Sequence, residues 1–246
     1  GGPEKTTLFR ILATLLVPDE GSARIEELDT IKDYRKIRTM LGYMPGTFSL
    51  YQDLTVQENL AFFATIFDTT IQANYHLIRD IYQQIEPFKN RLARNLSGGM
   101  KQKLALSCAL IHKPRVLILD EPTTGVDAVS RKEFWDMLIN LKQQEITILV
   151  STPYMDEAGL CDRVGLIQDG QIMKIDPPDK ILADFPKKLW AVSATEPYRL
   201  LLDLRDHEEL DSVYPFGDAM HITSKSGYLD EDHLKNVLED RKSTRL

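Results

Sequence analysis

The segment Val116-Leu117-Ile118-Leu119-Asp120-Glu121-Pro122 constrains the fold more than any other. Four apolar residues in an unbroken run predict a strand covered on both faces, as in a parallel sheet, rather than one with a wet face. The run ends on two adjacent carboxylates, and acids at the end of a buried strand are costly unless a cation or a reaction uses them. A helix pattern from Ser130 to Gln143 follows, and then a second buried-strand candidate, Ile146 to Val150. Strand, helix, strand in that rhythm reads as a βαβ unit. Asp120 is thereby a candidate Mg²⁺ ligand, and Glu121 a candidate to orient or deprotonate an attacking water. The plainer alternative is an exposed strand end that tolerates two acids.

The rest of the chain supplies helices for such a sheet. Leu8, Ile11, Leu12, Leu15 and Leu16 predict a helix over 6–17, stopped by Pro18 and Gly21, and Arg38 to Pro45 reads as a short strand ending in a turn. Thr55 and Glu58 match a capping box that opens a helix around Leu60 to Phe67. A further helix pattern runs from His76 to Ile85 and ends at Pro87. Ser97 is a fitting N-cap for a helix with Met100, Leu104, Cys108 and Ile111 roughly on one face, closed by Pro114. Val164 to Gln168, the turn Asp169-Gly170 and Ile172 to Ile175 predict a hairpin. Pro177-Pro178 is the candidate boundary, dividing a main domain over 1–176 from a small α+β unit over 177–246. In that unit the pattern changes to Leu189–Ser193, a helix near Tyr198–Leu204, a strand near Met220–Ser224 and a helix from Asp230 to Leu238. The charged stretch from Asp203 to Asp211 reads as a solvated helix face and loop.

Composition narrows the class. Apolar residues make up 43% of the 246, enough for a core and against wholesale disorder. Acidic side chains number 37 against 30 basic, a net charge of −7, which argues against a general nucleic-acid binder. No apolar run approaches bilayer length, the N-terminus does not read as a signal peptide, and two cysteines make no disulfide framework. The expectation is a reduced, cytoplasmic, soluble chain.

Two more segments point toward phosphate. Lys5-Thr6-Thr7 opens a helix just behind Gly1 and Gly2. Glycines let backbone N–H groups approach phosphate oxygens, the helix N-terminus adds its dipole, Lys5 would reach the β- and γ-phosphates, and Thr6 would ligate Mg²⁺. A Gly-Pro turn and an ordinary helix start is the plainer alternative, because Glu4 breaks the full glycine-rich pattern. In Leu96-Ser97-Gly98-Gly99-Met100-Lys101-Gln102 a serine cap and two glycines expose N–H groups at a helix N-terminus, an anion site or a plain capping turn.

Taken together, L-S-G-G-M-K-Q ahead of V-L-I-L-D-E-P-T-T-G-V-D resembles the nucleotide-binding subunit of ABC transporters, over Gly1 to about Asp176. The stretch from Thr123 to Arg131 looks most like the drug and lipid exporter branch. The resemblance implies an α/β fold, a P-loop NTPase-like parallel sheet core with a helical subdomain, and a small C-terminal α+β extension. It implies MgATP hydrolysis by a dimer that sandwiches two ATP molecules and drives membrane permease subunits. Gly2, Lys5, Thr6 and Thr7 would match the end of Walker A, Asp120 the Walker B aspartate and Glu121 the catalytic glutamate. Asp127 would match the D-loop aspartate that touches a partner subunit, identical or not. Ser97, Gly98, Gly99 and Gln102 would match the signature that addresses the partner's ATP.

Three departures qualify that pattern. Glu4 replaces a loop glycine, and a carboxylate about 5 Å from a phosphate costs about 3 kcal/mol per unit charge at an effective dielectric near 20. Gly46 replaces the Q-loop glutamine after Tyr43-Met44-Pro45, and Pro153 replaces the H-loop histidine within Ser151 to Glu157. The strand expected ahead of a P-loop has no counterpart, so the chain reads as beginning inside that loop. These departures motivate a second reading, a non-catalytic half of an asymmetric pair that lends its Ser97–Gly99 turn to a partner's ATP site. A soluble ABC ATPase acting on ribosomes or DNA is a third, disfavoured by the ordinary length of the Gly46–Ser97 stretch and by the acidic charge. Leu50, Tyr51, Leu54, Phe62 and Phe63 lie where transporter subunits of the family receive a membrane-subunit helix, though core packing explains them equally well.

Overall fold

The buried quartet becomes the middle strand of a three-stranded parallel sheet. The structure, a computed structural model, describes residues 3–184, 189–194, 201, 204, 210–216, 219–224 and 244–245. Compact units divide the chain into Gly1–Pro178 and Asp179–Leu246.

In the first unit the elements run α1 (Pro3–Leu12), β1 (Arg24–Ile25), β2 (Leu28–Asp29), α2 (Tyr34–Met40), β3 (Leu41–Met44), α3 (Val56–Ile66), α4 (Ile71–Tyr82), α5 (Gly98–Leu110), β4 (Val116–Asp120), α6 (Ala128–Lys142), β5 (Thr147–Ser151), α7 (Met155–Ala158), β6 (Val164–Gln168) and β7 (Gln171–Asp176). The sheet order is β3-β4-β5, with Tyr43 opposite Ile118 and Asp120 opposite Ser151. β4 is covered on both faces, as an apolar quartet requires. Leu117 and Leu119 join the large core built from α3, α4, α5 and α6. Ile118 points the other way, into a second cluster with Phe9, Ala13, Ile25, Ile37 and Leu41. All strand C-termini of this sheet therefore open toward one rim, the place where α/β sheets hold ligands.

Several helix signals act as expected. The Thr55–Glu58 capping box is formed at the start of α3, and Ser97 caps α5. Asn59, fully buried, accepts from the Tyr51 N–H at 3.0 Å and donates to the carbonyls of Tyr51 and Thr55, which fixes the loop ahead of that box. β6 and β7 pair antiparallel around Asp169 and Gly170, both at positive φ, as a two-residue hairpin turn demands.

Other expectations need correction. α1 stops at Leu12 rather than 17, because Thr14 turns to φ +60° and the Arg38 guanidinium binds its carbonyl and hydroxyl, each at 2.8 Å. Pro18 is not the terminator. Arg38 to Met40 belong to α2, not to a strand, since Ile37 must reach the Phe9 cluster. The helix expected over 76–85 starts earlier, at Ile71 behind the Thr70 cap, and ends at Tyr82. β5 is less covered than its sequence suggests: Leu149 is 39% exposed, and among the described residues β5 pairs only through its β4 edge.

α8 (Pro178–Ala183) begins at the division, and the second unit carries β8 (Leu189–Ala194), β9 (Leu210–Phe216), β10 (Ala219–Ser224) and β11 (Thr244–Arg245) in an antiparallel sheet of order β11-β8-β10-β9. Val192, Val213, Met220 and Ile222 form its own small core. β9 corrects the reading of Leu210 and Asp211 as loop, because β10 supplies a partner that the charged local sequence does not advertise. Leu201 and Leu204 are helical, whereas the helix expected over 230–238 lies outside the described residues. Among the described residues no helix is long and apolar enough to cross a membrane.

One histidine makes the core sensitive to pH. His112 stacks on Phe67, centroids 3.8 Å apart and rings 9° from parallel, and its Nε2 lies 3.1 Å from the Leu41 carbonyl. Burial lowers its pKa below the ordinary 6.5. The unfolded chain then binds more protons than the folded one between the lowered value and 6.5. Stability is therefore complete above pH 6.5 and falls as pH drops through that window. Urea unfolding at pH 7.5 and 5.5 should show this loss, and His112→Gln should flatten the difference.

Candidate functional site

Where β4 ends, the chain presents a carboxylate with few compensations. Asp120 is 2% exposed, and its Oδ1 accepts the Ser151 hydroxyl at 2.6 Å from the neighbouring strand. A bond to a charged acceptor contributes about 1.5–3 kcal/mol. Removing a carboxylate from water costs on the order of several kcal/mol. Among the described residues that hydroxyl is the hydrogen-bond partner of the carboxylate and does not by itself offset the cost, which favours a cation beside Asp120. Gly46 packs close beside Asp120: a Cβ there would sit 3.9 Å from Asp120 Oδ2 and only 3.0 Å from the Asp120 carbonyl. Carboxylate and hydroxyl oxygens are the donors that Mg²⁺ prefers, usually one or two from protein with the rest from phosphate and water.

The next residue turns sharply. Glu121 has φ +48°, sparsely populated for a side chain of this size. Its N–H donates to the Ser151 carbonyl at 3.0 Å and hydroxyl at 2.9 Å, and Thr124 Oγ1 donates to its Oε2 at 3.3 Å. That turn aims Oε1 at Lys5 Nζ, 3.9 Å away, while the same ammonium donates to the Thr152 carbonyl at 3.2 Å. Lys5, on the first turn of α1, thus meets Glu121 and the end of β5. Thr6 is half-buried beside it and Thr7 is exposed, while Gly2 lies outside the described residues. Glu4 also occupies the first turn of α1, where the helix dipole favours its charge and where it would compete with any anion. Pro153 is exposed between Thr152 and Tyr154 and offers no donor. Lys5, Asp120, Glu121 and Ser151 therefore form one group, fitted to a phosphate and its divalent cation.

A second group surrounds the start of α5. Ser97 and Gly98 are exposed, and Ser97 Oγ accepts the Met100 N–H at 3.4 Å. A Cβ on Gly99 would sit 2.9 Å from Ser130 Oγ, and one on Gly98 3.9 Å from the Gly125 carbonyl. Asp127 caps α6 by accepting from Val129 N at 3.1 Å and Ser130 N at 3.0 Å, and the Ser130 N–H holds its carboxyl below the ordinary range. Gln102, one turn further in, is half-buried with an Oε1 that has no hydrogen-bond partner.

Residues 2–124 match the family model described as ABC transporter. The chain belongs to the ABC transporter family. The chain is 47% identical over 174 residues to the probable multidrug ABC transporter ATP-binding protein YbhF of Escherichia coli, a match covering 70% of this chain and 30% of that protein. It is 31% identical over 249 residues to the Nod factor export ATP-binding protein I of Neorhizobium galegae, covering 100% of this chain and 70% of the relative. The chain thus spans less than a third of the length of the E. coli relative. Among solved structures, cbiO1 from Clostridium perfringens, described as part of the ABC transporter complex cbiONQ, superposes with a TM-score of 0.64 at 26% identity, covering 75% of this chain and 77% of that one. The fold is accordingly that of an ABC cassette, an α/β P-loop NTPase-like core.

Within this ABC cassette, some supports of the site have no sequence signature. Ser151 reads as an ordinary residue at a strand end, yet it satisfies both Asp120 and Glu121. Ser130 reads as a helix-start residue, yet it sets how closely α5 approaches α6. The nearest usable signal was the run of small residues in both segments, which marks close approach without naming partners. Because a Cβ on Gly99 would press on the Ser130 side chain, Gly99→Ala should lower stability by about 1–3 kcal/mol. In a Ser130→Gly background the same change should cost less than half as much, measured as a double-mutant cycle in urea.

Proposed function

We propose that this chain is the nucleotide-binding subunit of an export-type ABC transporter, binding and hydrolysing MgATP to drive partner membrane subunits. The observation that carries the reading is the convergence of Lys5, Asp120 and Glu121 where β4 and β5 end at the N-terminus of α1. Multidrug and Nod-factor export in the names of relatives favour the exporter branch. Bound MgATP supplies the phosphoanhydride that is cleaved and the divalent charge that offsets Asp120.

The chain's own residues take the remaining parts. Lys5 neutralises charge on the phosphates, Gly2 and Thr7 contribute to binding them, and Thr6 and Asp120 hold the cation. Glu121 accepts a proton from the attacking water, which requires it to exchange Lys5 for that water. Ser97, Gly98, Gly99 and Gln102 face the ATP of a second nucleotide-binding domain, identical or different, and Asp127 sits at that contact. Residues 1–176 form the nucleotide-binding domain and 177–246 an accessory unit. The chain works at the cytoplasmic face of the membrane, bound to permease subunits rather than inserted, and does not engage nucleic acid. In the assembled transporter, Glu121→Gln should lower ATP turnover by at least about 100-fold while ATP binding is retained; undiminished turnover would refute the role of Glu121.

Three departures favour the alternative of a non-catalytic half. Gly46 and Pro153 place no polar side chain where the family's glutamine and histidine stand, and Glu4 shares the α1 terminus with any bound phosphate. In that reading the chain serves chiefly through its Ser97 turn. With a competent partner, Ser97→Arg should reduce the turnover of the partner's site, and an unchanged rate would exclude this role.

A further inference from the structure

Glu157 takes no part in the nucleotide reading, yet it is one of the most deeply placed charges in the first unit, at 2% exposure. A carboxylate so buried needs partners on each oxygen. Its Oε1 accepts the Thr123 hydroxyl at 2.7 Å and faces Arg131 Nε at 3.8 Å. Its Oε2 accepts the Thr152 hydroxyl, which in turn accepts the Tyr154 N–H at 3.0 Å. Arg131 also reaches Asp156 at 3.4 Å and lies over the Tyr154 ring, 4.7 Å from its centroid.

The two threonines are the significant partners. Thr123 stands two residues beyond Glu121, in the turn that begins at φ +48°. The carbonyl of Thr152 is the group that receives Lys5. A single buried carboxylate therefore bridges the segment carrying Glu121 and the segment carrying the anchor of Lys5. Arg131 extends the bridge to α6, four residues after the Asp127 cap.

We propose that Glu157 is a positioning residue, which holds the Glu121 turn and the end of β5 at a fixed spacing and so sets where the Glu121 carboxylate stands relative to Lys5. It touches no reacting atom. A backbone held in a sparsely populated conformation persists only when its surroundings over-determine it. Ser151 restrains that turn from one side, and the Thr123–Glu157–Thr152 bridge restrains it from the other. The inference rests on the reading of Glu121 given above.

The test compares Glu157→Leu and Glu157→Gln with the parent in the full chain. Amide hydrogen exchange of Glu121 and Thr124 should quicken by about tenfold or more in Glu157→Leu, with Leu117 and Ile118 in β4 unchanged and Glu157→Gln in between. In the assembled transporter, kcat should fall by about tenfold or more in Glu157→Leu with KM within about threefold, and Glu157→Gln should recover part of the loss. Thr123→Val removes one bond of the bridge without placing a new group in the core. It should shift both readouts in the same direction, and it serves if Glu157→Leu does not fold. Unchanged exchange at Glu121, or an equal acceleration of every core amide, would overturn the proposal, as would a kcat loss that merely tracks the folded fraction. Retained turnover in Glu121→Gln would instead remove the role of Glu121, and the exchange measurements would still decide whether Glu157 fixes the turn.

Discussion

A carboxylate buried at the end of a parallel strand organises this cassette. β4 is covered on both faces, so Asp120 has almost no water, and one serine hydroxyl reaches it. The desolvation cost exceeds what that single bond contributes. Its surroundings are small or cationic: Gly46 packs against the Asp120 backbone without a side chain, and Lys5 stands at the adjacent glutamate. The same serine that serves Asp120 also holds the Glu121 amide, so the two acids share one support while facing different directions.

The turn that follows β4 links two sets of residues far apart in sequence. Its first residue, Glu121, faces Lys5 from α1. Its third, Thr123, is held by Glu157 from α7, and its fifth, Gly125, lies near Gly98 at the start of α5. The close fit of Gly99 on Ser130 then ties the Ser97 turn to the cap made by Asp127. The turn thus lies between the Lys5–Glu121 pair and the start of α5.

Much of this was legible before the fold was known, where a short pattern has a single physical reading. Four consecutive apolar residues before two acids gave β4, Thr55 and Glu58 gave the start of α3, Ser97 gave the start of α5, and Asp169-Gly170 gave the hairpin. The misreadings share a cause. Leu15 and Leu16 keep the helical spacing to 17, yet α1 stops at Leu12, where Thr14 turns to φ +60° and a distant arginine binds its hydroxyl and carbonyl. The apolar run Ile146 to Val150 predicts a buried strand, although coverage depends on which strands and helices stand beside it. β9 was hidden because its edge pairing with β10 requires no apolar run.

The sequence by itself determined the chemistry available at the site: which carboxylates, which lysine, which hydroxyls, and the glycines that let backbone approach them. Local patterns could do this because a cap, a strand end or a tight turn involves residues only a few positions apart. Tertiary structure alone decided which of two neighbouring acids in Met155-Asp156-Glu157 would be buried, since nothing in that tripeptide distinguishes them. Glu157 faces inward, at 2% exposure, because α7 docks it against hydroxyls from two separate strand ends. Partners drawn from positions 123, 131 and 152 meet only once the sheet and α6 are in place, and a periodicity carries no record of them.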